Sequence, residues 1–264
     1  VAFPPPRSLS PSKVSSFTDC PLAFRLSVID RLPEPPSSAA VKGTLVHSAL
    51  EGLIWNHPSG KRTPAVAGRE LDAAWQALQD DPEFRELALD EAAAAEFRAD
   101  AEVLVTNYFE LEDPDRVRAV GVELGLEVDL GRARLRGIID RLDRTDDGDL
   151  VVIDYKTGRA PPARFEQARL QGVHIYALLC EQVLGRAPVE VRLLHLRDPV
   201  VISAVPSEQS IRGQGQRTAA VWHAIERACT REDFRPRRSG LCAYCSFQSM
   251  CPEFGGQPPP FSGP

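Results

Sequence analysis

The segment Gly137-Ile-Ile-Asp-Arg-Leu-Asp-Arg-Thr-Asp-Asp-Gly-Asp-Leu-Val-Val-Ile-Asp-Tyr-Lys-Thr-Gly158 carries two acids, Asp140 and Asp154, and a lysine, Lys156, on what reads as two strands joined at Asp146-Asp147-Gly148. With the turn centred near Asp147, residues whose numbers sum to about 294 face each other, which sets Asp140 opposite Asp154. Neighbouring strands lie about 4.8 Å apart, so the two carboxylates can share one divalent cation. Side chains alternate along a strand, so Lys156 joins Asp154 on its face while Tyr155 points away. Two acids and a lysine beside the apolar run Val151-Val152-Ile153 are costly to bury unless a cation or a substrate compensates them. The chemistry this suits is phosphodiester hydrolysis. A metal on Asp140 and Asp154 polarises a phosphoryl oxygen and lowers the pKa of a bound water. Lys156 orients that water or stabilises the charge that builds on phosphorus. The chain has four lysines (Lys13, Lys42, Lys61 and Lys156) among 31 basic residues, so a lysine within the motif stands out in an arginine-preferring sequence.

A second constellation is Cys242-x2-Cys245-x5-Cys251-Pro252. Two thiolates on a Cys-x2-Cys turn serve one metal, but a tetrahedral site needs four ligands and no second close pair exists. Cys20-Pro21 is the leading fourth candidate, with Cys180 and Cys229 as competitors. Cys180 falls in an apolar helical run and reads as core; Cys229 sits at a helix end. Spacing alone serves zinc and iron–sulfur equally.

The elements that must hold these groups are legible in outline. Ser10-Pro11 caps a helix over 12–29, with Val14, Phe17, Leu22 and Leu26 on its apolar stripe. A second helix runs over 42–55, and residues 67–111, rich in Ala, Glu and Leu, read as one or two surface helices. Three strands follow over 117–130, 132–143 and 150–155, then a helix over 163–184 ended by Gly185, strands over 189–196 and 200–205, and a helix over 207–229. The order predicts an α/β fold, a mixed central sheet flanked by helices, with a helical N-terminal region. At 264 residues the chain is long enough to bury a core without disulfides, and six cysteines are too few for a disulfide scaffold. The first residues, VAFPPPRSLS, have no basic segment followed by an apolar stretch, so no signal peptide is expected, and no apolar run has the length of a membrane span. A reducing, cytoplasmic setting and no membrane partner are expected. The net charge of −6 argues at first sight against nucleic acid.

Taken together, these segments resemble the RecB-type nucleases of the PD-(D/E)xK superfamily, in the iron–sulfur branch that includes Cas4-like and AddB-like nucleases. The resemblance runs from Leu9 to Pro252. It rests on Leu9-Ser-Pro-Ser-Lys-Val-Ser-Ser-Phe-Thr-Asp-Cys-Pro-Leu-Ala-Phe24, on Gly43-Thr-Leu-Val-His47 as a G-x-x-x-H motif, on Gly137-Ile-Ile-Asp140 and Asp154-Tyr-Lys156, and on the C-terminal cysteine triplet, all in the family's order. It implies a restriction-endonuclease-like core. It implies His47, Asp140, Asp154 and the Tyr155 carbonyl as ligands of Mg²⁺ or Mn²⁺, and Lys156 as the catalytic lysine. It also implies a structural [4Fe-4S] cluster on Cys20, Cys242, Cys245 and Cys251 that ties the first helix to the C-terminal segment. The family's Gln-x-x-x-Tyr motif is altered: Tyr176 fits, but Gly172 stands four residues before it and the glutamine is Gln171, about 100° away on a helix.

On this reading, residues 1–264 form one nuclease domain. It comprises N-terminal helices with the first cysteine (9–56), a helical insertion (57–115), the nuclease core (116–230), the cysteine segment (231–252) and a tail (253–264). The expected activity is metal-dependent hydrolysis of DNA, as an exonuclease on single strands in repair or recombination. The altered glutamine keeps a non-catalytic DNA-binding or assembly subunit as the alternative, and a Cas4-like nuclease of CRISPR adaptation as a third reading. An acidic nuclease must concentrate positive charge locally. Arg132, Arg134 and Arg136 alternate along one strand; Arg141 and Arg144 flank the hairpin; Arg159, Arg164 and Arg169 follow Lys156; Arg235, Arg237 and Arg238 lead into the cysteines. Arg136, Arg141 and Arg159 are the leading DNA contacts; Tyr244 and Phe247 are candidates for stacking on bases, with packing over the cluster the favoured alternative. No G-x-x-x-x-G-K-[ST] is present, so single-stranded DNA would come from a separate helicase or a single-strand-binding partner.

Overall fold

The computed structural model describes residues 3–131, 133–160 and 166–261, with only the backbone of 166–173. Arg132 and Arg164 and the side chains of Arg169 and Gln171 therefore lie outside the described residues. The chain divides into two compact units, one of Val1–Pro35, Glu127–Gly137 and Glu208–Pro264, the other of Pro36–Leu126 and Ile138–Ser207. A five-stranded sheet has the order β1 (Ala119–Asp129), β2 (Arg134–Arg144), β3 (Leu150–Lys156), β4 (Glu190–His195) and β5 (Val200–Ala204). β2 and β3 are antiparallel, β3 and β4 parallel, β4 and β5 antiparallel, so the sheet is mixed, as expected. Parallel pairing of β3 with β4 requires a crossover, which the helix over Glu166–Leu184 supplies.

In the first unit, α1 (Pro11–Asp19) starts as the sequence predicts: Ser10 accepts from the Lys13 N–H at 3.2 Å and Pro11 opens the helix. It does not continue to residue 29. Cys20 is extended (φ −157°, ψ 105°), Pro21 opens the short α2 (Pro21–Phe24), and a π-helical turn over Arg25–Ile29 follows. A residue before proline is pushed out of the α region, which is why the helix breaks at the cysteine. Leu22, Leu26 and Phe247 form a small core, with Cys20, Cys245 and Cys251 at its edge. Phe247 is thus buried and cannot stack on a base, whereas Tyr244 is 89% exposed.

In the second unit, α3 (Ser38–Trp55) packs on α4 (Pro64–Leu78) and, with the short α5 (Pro82–Glu86), on α6 (Glu91–Leu111). Residues 67–111 were expected on the surface, but Leu71, Phe97, Ala101, Leu104 and Val105 are buried in one core with Leu45, Leu50 and Leu53 of α3. Small and aliphatic residues at helical spacing had one face to bury after all. β3 is buried on both faces from Leu150 to Tyr155, the signature of a central strand. The helix over Glu166–Leu184 is α7 and that over Glu208–Arg231 is α8; Cys180 and Cys229 are buried.

One expectation is overturned here. Arg141 is not a DNA contact: its side chain is 1% exposed. On β2 the residues Leu135, Ile139 and Arg141 alternate onto the buried face. The guanidinium reaches Glu112 at 2.6 and 3.0 Å, Asp143 at 2.9 Å, Tyr155 Oη at 2.6 Å and Tyr108 Oη at 3.1 Å. It is a rigid fork whose donors are satisfied inside the fold. Arg141→Met would strip Glu112 and Asp143 of their hydrogen-bonded counter-charge and leave only the charge of Arg192 acting on them. We expect a loss of about 3–5 kcal/mol in urea unfolding, with DNA affinity of the folded fraction unchanged.

Candidate active site

The β2–β3 ladder sets the site. Its pairs Arg141–Ile153, Leu142–Val152 and Asp143–Val151 have the register the turn predicts. The turn is built by Gly148 at φ +86°, with Thr145 N–H donating to the Asp149 carbonyl at 2.8 Å. One step beyond Arg141, the Asp140 side chain enters the hydrogen-bonding pattern: its Oδ2 accepts from Tyr155 N–H at 2.7 Å. Asp140 and Asp154 are 12% and 6% exposed at the side chain, and Lys156 Nζ pairs with Asp154 Oδ2. Burial first, and the Asp154 charge second, push the Asp140 carboxyl up from its ordinary range.

His47, in the middle of α3, completes this group. Its Nε2 lies 3.1 Å from the Tyr155 carbonyl and its Nδ1 3.6 Å from Asp140 Oδ2. The carbonyl only accepts, so Nε2 donates and Nδ1 turns its lone pair toward Asp140. Burial lowers the His47 pKa, which keeps the ring neutral. Tyr176 of α7 is close enough to feel Asp154, Asp140 and Glu123; burial first, then those charges, raise its pKa and keep the phenol protonated.

Glu123 of β1 was missed in the sequence. It supplies a carboxylate oxygen within 4.8 Å of the donor atoms of His47 and Asp140. Its backbone is left-handed, φ +42°, which costs a non-glycine residue energy and tends to mark functional positions. Burial and Asp140 raise its pKa. The one sequence signal was an acid between two strand glycines, Gly121 and Gly125. A neutral imidazole lone pair facing two carboxylates, with Asp154 across the strand, is a donor set for a hard divalent cation; among themselves these groups mostly repel.

Of the other sequence candidates, Arg159 is exposed just after β3, and Arg136 is exposed on β2 in the first unit. The four cysteines of the resemblance line one cavity of about 280 Å³ in the first unit. Arg237 N–H points at Cys20 Sγ (3.5 Å) and Ser239 N–H at Cys242 Sγ (3.4 Å), as backbone amides do around thiolates. A Cβ on Gly256 would lie 2.2 Å from the Ser249 carbonyl oxygen, so only glycine lets the tail close over Cys251.

With the geometry in place, comparison with known proteins gives the class. The sequence pattern of the PD-(D/E)XK nuclease superfamily matches residues 8–252, and the chain belongs to that superfamily. It is 30% identical over 160 residues to an ATP-dependent helicase/deoxyribonuclease subunit of Streptococcus equi subsp. zooepidemicus (strain H70), a match covering 58% of this chain and 14% of that protein. The chain thus spans a small part of that relative's length. It is 22% identical over 275 residues to Gene 69 protein of Mycobacterium phage D29, covering 93% of this chain and 96% of that one. The crystal structure of a candidate exonuclease from Eubacterium rectale has the same fold, with a TM-score of 0.54 at 12% identity over 90% of this chain and 87% of the other.

The Glu123→Gln variant tests the added ligand. By calorimetry without DNA, Mn²⁺ should bind about tenfold or more weakly than to the parent chain. Equal affinity would remove Glu123 from the site.

Proposed function

We propose that the protein is a metal-dependent DNA nuclease that acts as an exonuclease on single-stranded DNA in repair or recombination. The observation that carries this reading is the convergence of His47, Glu123, Asp140, Asp154 and Lys156 from three strands and a helix onto one face. These residues would hold Mg²⁺ or Mn²⁺, and a bound ion would supply Lewis-acid polarisation of the phosphoryl group and a more acidic water. The chain's own residues do the rest. Tyr155 N–H fixes the Asp140 carboxylate and the Tyr155 carbonyl fixes the His47 ring, so neither turns away from the ion. Lys156 is 41% exposed at its side chain, so its ammonium can leave Asp154 to meet the phosphate charge. Tyr176, held protonated, keeps a hydroxyl donor near the charges of Asp154, Asp140 and Glu123.

The four cysteines support a [4Fe-4S] cluster as the second cofactor. They line one cavity, with the Arg237 N–H directed at Cys20 Sγ and the Ser239 N–H at Cys242 Sγ. Similarity to one component of a helicase/deoxyribonuclease favours a helicase as the partner that presents the single strand.

With strands labelled at either end, the parent chain and Mn²⁺ or Mg²⁺ should degrade single-stranded DNA. Asp154→Asn and Lys156→Ala should lose about 10³-fold or more in rate while still binding DNA. If the parent leaves DNA intact with both metals, the protein is a non-catalytic DNA-binding subunit. Anaerobically purified protein should be brown, absorb near 400 nm and hold about four irons per chain, and Cys20→Ala should lose them. A colourless, zinc-bearing protein would contradict the cluster.

A further inference from the structure

The first unit gathers positive charge at a place the nuclease motifs do not account for. Lys13 lies in the first turn of α1, and its Nζ is held by the Ser8 carbonyl at 3.1 Å. Arg136 stands on β2, where Leu9 pairs alongside: Arg136 N–H donates to the Leu9 carbonyl at 2.9 Å and Leu9 N–H to the Arg134 carbonyl at 2.8 Å. This pairing brings the start of α1 to the strand. Arg31 follows the π-helical turn in a left-handed conformation, φ +54°, held there although it is not glycine.

Both arginines act on Lys13. Burial, then Arg136, then Arg31 lower its pKa, so each arginine lies within reach of the Lys13 charge, Arg136 beside it through the Leu9 pairing. Among the described residues none of the three has a carboxylate partner. Their neighbours do: Arg134, on the same strand face as Arg136, pairs with Glu127 at 3.3 Å, and Arg25 of the π-helical turn pairs with Asp30 at 3.0 Å. The chain has 37 acids against 31 lysines and arginines, so the missing counter-charge is not a matter of composition. A half-buried lysine with two like charges beside it and no acid to offset them makes a place that an anion relieves.

We infer that Lys13, Arg31 and Arg136 form a phosphate-holding site that grips the backbone of the DNA strand. The inference rests on the nuclease reading for its choice of anion and adds to it where the strand is held. It assigns the grip to the first unit, through phosphate contacts that position DNA without reading its sequence.

The test is fluorescence anisotropy of a labelled oligo-dT strand with the whole chain in EDTA, so that nothing is cleaved, over a series of KCl concentrations. Lys13→Gln, Arg31→Gln and Arg136→Gln should each weaken binding roughly three- to tenfold and lower the salt slope by about 0.7. The charge-keeping Lys13→Arg and Arg136→Lys should bind like the parent, and Arg134→Gln, whose arginine already has an acid partner, should change little. Inorganic phosphate should raise the Tm of the parent and not that of the glutamine variants. The inference is overturned if the glutamine variants bind with the parent's affinity and slope, or if the charge-keeping variants lose binding equally, which would mark a structural role. A parent that binds DNA through these residues but cuts none with Mn²⁺ would defeat the hydrolytic reading alone. A parent that cuts DNA while the glutamine variants bind unchanged would defeat this inference alone.

Discussion

The site depends on the register of two antiparallel strands, because that register alone decides whether Asp140 and Asp154 share a face. A slip of one residue would turn every side chain of β3 over and put Tyr155 where the acids now meet. Two devices hold the register. On the site's face, Asp140 Oδ2 takes the Tyr155 N–H. On the reverse face, Arg141 of β2 binds Tyr155 Oη of β3, Asp143 on its own strand, and Glu112 just beyond α6. The residues between and beside the catalytic ones, Arg141 and Tyr155, thus spend their polar groups behind the sheet. The acids remain in front, like-charged and short of hydrogen-bond donors. Groups placed so are costly to the folded chain unless a cation joins them.

Division of labour follows from where the charges lie. The second unit holds acids, a neutral histidine, a protonated tyrosine and one half-exposed lysine, a set for handling a cation and a scissile phosphate. The first unit holds the four cysteines that line one cavity and the cations to which the phosphate grip is assigned by inference. The net charge of −6 is therefore no argument against DNA, because an average over the chain hides local groups of either sign.

Much of this could be read in the residues, for identifiable reasons. The hairpin register was legible because a short turn with a glycine at positive φ leaves little freedom in pairing. The mixed sheet followed from the order of β-branched runs and helical stretches. Arg141 was misread because an arginine beside a catalytic acid looks like a substrate contact, although alternation with Leu135 and Ile139 already set it on the buried face. Glu123 was missed because its approach to His47 depends on a left-handed backbone within a strand, which no periodicity announces. The break at Cys20 was overlooked although Pro21 signalled it; the apolar stripe runs through it, since α2 and the π-helical turn bury Leu22 and Leu26 in the same small core.

The most direct test of the central claim is to locate Mn²⁺ by anomalous diffraction from crystals of the protein soaked in that ion. The account predicts a peak coordinated by His47 Nδ1 and by the carboxylates of Glu123 and Asp140, with Asp154 across the strand. A protein that cleaves DNA with Mn²⁺ but shows its ion elsewhere, or none at these residues, would contradict it.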